Sequence, residues 1–187
     1  MPKIQIFRQK NPVRIAAAGL SAIGWLTAFC FTACVKPKEF SEIPYLEYRS
    51  ADVSGMITKA GDTVPLLNLT FYFQDGDGDI GTHENEAVLF FALEEKVGDS
   101  LYEPVYAVND TGGRFAIEYA YMLNPIEAVT GNGAVYGTMT WRMEEFADVA
   151  REFDGRTIRF AIWLFDRKKQ KSNVIHSEDF RLSDYRY

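Results

Sequence analysis

Leu67-Asn68-Leu69-Thr70-Phe71-Tyr72-Phe73-Gln74 alternates without a break. Leu67, Leu69, Phe71 and Phe73 fall on one side, and Asn68, Thr70, Tyr72 and Gln74 on the other. A period of two is the mark of a strand with one buried face. The pattern recurs at 114–121, with Phe115, Ile117, Tyr119 and Tyr121 on the apolar side. It recurs again at 157–165, with Ile158, Phe160, Ile162 and Leu164 inward. Further strands are expected at 45–53, 87–94, 134–141 and 174–182.

Turn formers separate these segments: Gly61-Asp62, Gly98-Asp99, Asn109-Asp110-Thr111-Gly112-Gly113, Gly131-Asn132-Gly133 and Asp154-Gly155. Their side chains bond to nearby backbone or tolerate a left-handed turn. One segment departs from period two. Met143, Phe146 and Ala150 have helical spacing, which predicts a short helix between two strands. About seven strands with frequent turns and one helix predict an all-β chain. The expected fold is an antiparallel sandwich of immunoglobulin or fibronectin type III kind.

The first strand runs into Asp75-Gly76-Asp77-Gly78-Asp79-Ile80-Gly81. Three carboxylates within five residues repel one another unless a cation joins them. Alternating glycines let the backbone curl so that oxygens converge. Calcium takes six to eight oxygen ligands, which suits this set better than the strict octahedron of magnesium. Asp75, Asp77 and Asp79 are therefore candidate calcium ligands. An EF-hand count places Glu86 at the twelfth position, as an extra candidate. The sixth position is Ile80 rather than glycine, and the flank is a strand, so the loop is not an EF-hand. Ile80 is expected to plug into the core. Asp166 shares the inward parity of Ile158 to Leu164. Two readings of it stand side by side: a further ligand, or a residue that pairs with Arg167 or caps the turn at Ser172 and Asn173. The plain alternative for the whole loop is a solvated turn.

The N-terminus has a different character. Lys3, Arg8, Lys10 and Arg14 precede an apolar run at 15–33, with no acid among them. A basic start followed by an apolar core describes an export signal. The run is also nearly long enough to cross a bilayer as a helix, so an uncleaved anchor is the competing reading. Phe31-Thr32-Ala33-Cys34 favours cleavage. It resembles a lipobox, in which small residues admit the lipoprotein signal peptidase and Cys34 accepts the lipid. Leucine is usual where Phe31 stands. The predicted organisation is a signal helix at 1–33, a lipidated Cys34 with a polar tether at 34–42, and a sandwich domain at 43–187. The chain's two cysteines are Cys30 and Cys34, so the exported domain holds no disulfide.

Without the leader, 16 basic residues face 26 acidic ones, a net charge of −10. Such a domain has no electrostatic attraction to nucleic acid or anionic lipid headgroups. His83 and His176 are far apart, and no Gly-x-Ser-x-Gly, His-Glu-x-x-His or phosphate-cradling loop is present. No catalytic activity is expected. A hydrolase built on carboxylates is the outside alternative.

The leader, the segment Phe71-Tyr72-Phe73-Gln74-Asp75-Gly76-Asp77-Gly78-Asp79-Ile80-Gly81 and the late strand at 158–173 together resemble a group of small lipoproteins from Bacteroidota. The resemblance implies an outer-membrane lipoprotein with an Ig-like domain, facing the periplasm or the cell surface. Two roles are then open. One is an accessory module that meets a protein partner, with calcium stiffening its loops. The other is a glycan-binding module using outward rings such as Tyr72, Trp163 and Phe165. Oligomeric state is not legible. Asp62-Thr63-Val64 and Asp99-Ser100-Leu101 fit the short O-glycosylation pattern of such bacteria, and both also read as ordinary turns.

Overall fold

The computed structural model describes residues 4–5, 40–84, 86–126 and 133–185. The apolar run, Cys34 and the tether up to residue 39 lie outside the described residues. Among the described residues, no helix is long and apolar enough to cross a membrane.

The strands are β1 (Ile4–Gln5), β2 (Tyr45–Ile57), β3 (Thr63–Asp75), β4 (Leu89–Lys96), β5 (Tyr102–Pro104), β6 (Tyr106–Val108), β7 (Arg114–Ala116), β8 (Glu118–Tyr121), β9 (Val135–Met143), β10 (Thr157–Leu164), β11 (Ile175–His176) and β12 (Phe180–Arg181). One helix, α1 (Phe146–Glu152), joins β9 to β10, and a 3-10 turn covers Leu182–Tyr185. One sheet has the order β1-β9-β3-β2. The other runs β11-β10-β4-β5, with β12 also on β10 and β8 also on β4. All pairings are antiparallel. The described residues form an all-β sandwich with one short helix, as the period-two pattern predicts.

The core forms where the inward sets meet. Leu67, Leu69, Phe71 and Phe73 of β3 are almost fully buried, as are Met139 and Met143 of β9. Leu89, Phe91 and Leu93 of β4 oppose them, with Ile158, Phe160, Ile162 and Leu164 of β10. Each such side chain contributes about 1.5–3 kcal/mol relative to its exposed state. In β2 a register shift between Tyr48 and Ser50 changes the inward parity. Leu46 and Tyr48 face the core before it, and Ala51 and Val53 after it. Phe146, Val149 and Ala150 seat the helix on the core. The helix starts at Phe146, because Met143 still pairs with Leu67 in the sheet.

One expected strand is broken. The stretch 114–121 divides at Ile117, whose amide donates to the Val105 carbonyl while its own carbonyl accepts from Leu93. Residues before it pair with β6 in a projecting hairpin, and residues after it pair with β4. Phe115, expected inward, is 52% exposed for that reason. The stretch 174–182 likewise holds two short strands, interrupted where Ser177 takes the Phe160 amide on its hydroxyl.

Candidate functional site

Two core strands, one from each sheet, lead to an aspartate at an inward position: β3 ends in Asp75, and Asp166 lies two residues beyond β10. Asp75 continues the parity of Leu67 to Phe73, and Asp166 that of Ile158 to Leu164. Both side chains are fully buried. Where the hydrophobic series would continue, the sandwich instead carries a carboxylate on each side. Ile80 forms a bridge with Asp166 and is itself fully buried, so the acidic loop is pinned against β10 as expected.

Oxygens of Asp75, Asp79 and Asp166 converge within 4.8 Å of one another. Asp75 and Asp166 each have one oxygen engaged by a backbone amide. Asp75 Oδ2 accepts the Asp79 amide at 2.9 Å. Asp166 Oδ1 accepts the Gln170 amide at 2.7 Å. The other oxygens, Asp75 Oδ1, Asp79 Oδ1 and Asp166 Oδ2, are buried without a hydrogen-bond partner, as is Asp77 Oδ1. Buried polar atoms are nearly always paired, so four orphan carboxylate oxygens in one place require a partner. Two full charges at such a separation repel by about 3 kcal/mol in a partly solvated site. A metal ion, or shared protons, relieves that repulsion.

The proton affinities follow from the same crowding. Burial pushes the Asp75 carboxyl up to about 7, the charges of Asp77 and Asp79 adding to the effect and the Asp79 amide opposing it. Burial also raises Asp79, with help from Asp166 and Asp77. Asp77 goes the other way. Burial alone would raise it, but the Lys168 ammonium at 2.5 Å holds it below the usual carboxylate range.

Asp77 therefore stands at the rim of the cluster, one oxygen on Lys168 and the other beside Asp75. One oxygen of Asp166 caps a turn, and the other is buried beside Asp75 and Asp79. Its turn partner is Gln170; Ser172 instead takes the Leu164 amide on its hydroxyl at 3.0 Å. Glu86 is exposed and pairs with Lys169. His83 is exposed and outside the cluster. A small cavity of about 130 Å³ opens onto Asp166 between Thr82, Glu86 and Lys169 and offers a path from solvent.

Two of the loop's glycines combine a left-handed backbone with a close backbone approach. Gly78 has φ +72°, and a Cβ there would overlap the Gly133 carbonyl. Gly81 has φ +84°, and a Cβ would overlap the Asn124 carbonyl. Arg167 closes the outer side, donating from its backbone amide and from Nε to the Asp79 carbonyl, and from Nη2 to the Gly78 carbonyl. Sequence reasoning missed Arg167 and Lys168 as parts of the site. The signal was present: a basic run directly after Asp166 is complementary to an acidic run.

Two of the outward rings, Trp163 and Phe165, both meet Phe90, while Arg49 lies over Tyr72. Phe90 and Trp163 stack with 3° between their planes, Phe165 meets Phe90 edge-on, and Lys171 Nζ lies 4.3 Å from the centre of the Trp163 ring. A larger cavity, about 550 Å³, lies at the other end of the molecule between the start of β3 and α1. Its acids Asp62 and Asp154 are exposed, and its Arg151 pairs with Asp148 at 2.6 Å.

No protein-family model, curated protein or solved structure matches this chain.

Proposed function

We propose that the protein is an exported, lipid-anchored sandwich module of the outer membrane whose acidic loop holds a structural calcium ion, and that it acts by binding rather than by catalysis. The observation that carries the ion is the set of orphan oxygens of Asp75, Asp79 and Asp166, gathered where two core strands end. All are carboxylate oxygens, the donor type that hard cations take, and no histidine or thiol joins them. An ion there ties the two sheets together at one end of the sandwich, a role that needs no open coordination position.

Export and the anchor rest on the basic start, the apolar run and the lipobox ending in Cys34. A protein partner is favoured over a glycan by one observation. The Trp163 ring already meets Phe90 and Lys171, contacts that a stacked sugar would have to displace. The hydrolase alternative would need a closed carboxylate pair apart from the ion site, whereas Asp62 and Asp154, the acids that line the larger cavity, are exposed.

Thermal unfolding with EDTA and then with millimolar calcium tests the ion. A rise in melting temperature that Asp75→Asn with Asp166→Asn abolishes supports it, because a ligand of the folded state alone is stabilising. An equal rise in that variant rejects it. Labelling of cells with radioactive palmitate tests the anchor: label should enter the protein and vanish with Cys34→Ser, and an unlabelled protein rejects lipidation.

A further inference from the structure

The segment leading into β2 lies on the acidic loop. The Gly76 amide donates to the Ser41 carbonyl at 2.7 Å. A Cβ on Gly76 would overlap the Phe40 carbonyl and the Ser41 backbone, so only glycine permits this approach. The Phe40 ring packs on Tyr136, with centroids 5.2 Å apart. Glu42 meets the Lys168 ammonium at 3.4 Å, and the same ammonium holds Asp77 at 2.5 Å. Just beyond, Asn173 brackets Leu46, accepting its amide at 2.7 Å and donating to its carbonyl at 2.9 Å. Residues 40–46 are thus held by the two loops that supply the converging aspartates.

We infer that the acidic loop is a cation-dependent clasp for residues 40–43, so that ion occupancy decides whether the entry to β2 is held against the loop or released from it. The inference rests on the cation reading of Asp75, Asp79 and Asp166. The link is physical. Gly76, whose amide holds Ser41, sits between two of the crowded acids, and Asp77 is the anchor for the lysine that holds Glu42. With the cation in place the carboxylates draw inward and the Gly76 amide keeps its direction. Without it, their repulsion opens the loop, and the seat for Ser41 and Glu42 is lost. The Phe40–Tyr136 ring pair and the exposed Glu42–Lys168 ion pair are each weak by themselves.

Hydrogen–deuterium exchange of the full chain in detergent, with EDTA and with calcium, tests the clasp. Calcium should slow exchange at residues 75–81 and at residues 40–46, each by about tenfold or more, since both then open only with the loop. Gly76→Ala keeps the aspartates and removes the close approach. It should retain the slowing at 75–81 and lose it at 40–46. Lys168→Gln, which leaves the backbone contact in place, should reduce the slowing at 40–46 several-fold and leave 75–81 responsive. The clasp is overturned if calcium slows 75–81 but not 40–46 in the unaltered chain. It is also overturned if both variants keep the full response. If calcium changes neither segment and the melting temperature does not move, the cation reading itself fails and the clasp with it.

Discussion

Two turns of this molecule solve the same problem in opposite ways. The turn at 109–113, between β6 and β7, satisfies itself. The Asn109 side-chain oxygen accepts from the Thr111 amide, the Thr111 hydroxyl and the Gly113 amide, while its backbone bonds to Gly112 and Gly113. The turn at 75–81 has as many polar groups but leaves four carboxylate oxygens buried and unpaired. An amide side chain is neutral and can close a turn within its own few residues. Carboxylates only accept, and they repel each other, so their turn closes through something from outside. The glycines differ likewise. A Cβ at Gly112 would meet nothing within 4 Å, whereas at Gly78 it would overlap backbone. One turn is autonomous; the other is a joint between strands, loops and an expected ion.

The largest contrast should come from those glycines. Gly78→Ala is expected to cost about 2–4 kcal/mol, because a left-handed conformation and a backbone overlap act together. Gly112→Ala should cost about 1 kcal/mol from conformation alone. Urea unfolding measures both, and equal costs would erase the distinction drawn between the turns.

Calcium should separate the turns further. At about a hundred times its dissociation constant it should raise the melting temperature by about 5–10 °C. Asp166→Asn should remove most of that rise. Asp77→Asn should remove less, since Asp77 lies at the rim with Lys168. Asn109→Ala should leave it intact. A rise that survives Asp166→Asn but not Asp77→Asn would relocate the ion to the outer edge of the loop.

The pH response should sharpen the same point. Asp75 titrates near 7 in the folded chain, above its ordinary 3.8. The unfolded chain releases that proton first, so in EDTA stability should fall as pH rises from about 4 to about 7 and then level off. Asp77, held low, acts in the opposite sense, but only below about pH 4. Saturating calcium takes the proton's place and should abolish the decline. Unfolding midpoints across this range, with and without calcium, give the answer; a flat EDTA profile would mean that Asp75 is already ionised.

The smallest effect belongs to the autonomous turn. Asn109→Ala should cost about 1 kcal/mol for its lost hydrogen bonds. That cost should be identical in EDTA and in calcium.

Much of the fold was legible because burial on a sheet repeats every two residues. The inward sets of β3 and β10 occur as read, and so does the short helix seated by Phe146 and Ala150. The broken strand at 114–121 shows where the pattern fails. Phe115 and Tyr119 share a parity, but parity cannot say when a strand changes partner, as the chain does at Ile117. The short strands β5 and β6 carry too few residues to show a period.

The site divides the same way. Sequence alone marked Asp75, Asp77 and Asp79 by their crowding, Ile80 as the plug and Asp166 by its parity, since charge density and alternation are local properties. The expectation of a leader at 1–33 and of a lipid on Cys34 also rests on linear signals alone. Only the tertiary structure brought Asp166 of one sheet to Asp75 and Asp79 of the other, moved Asp77 to Lys168, and laid residues 40–43 across Gly76. Those juxtapositions join positions about ninety residues apart in one case and about thirty-five in the other. Distances of that kind are set by how two sheets pack, and no local pattern encodes them.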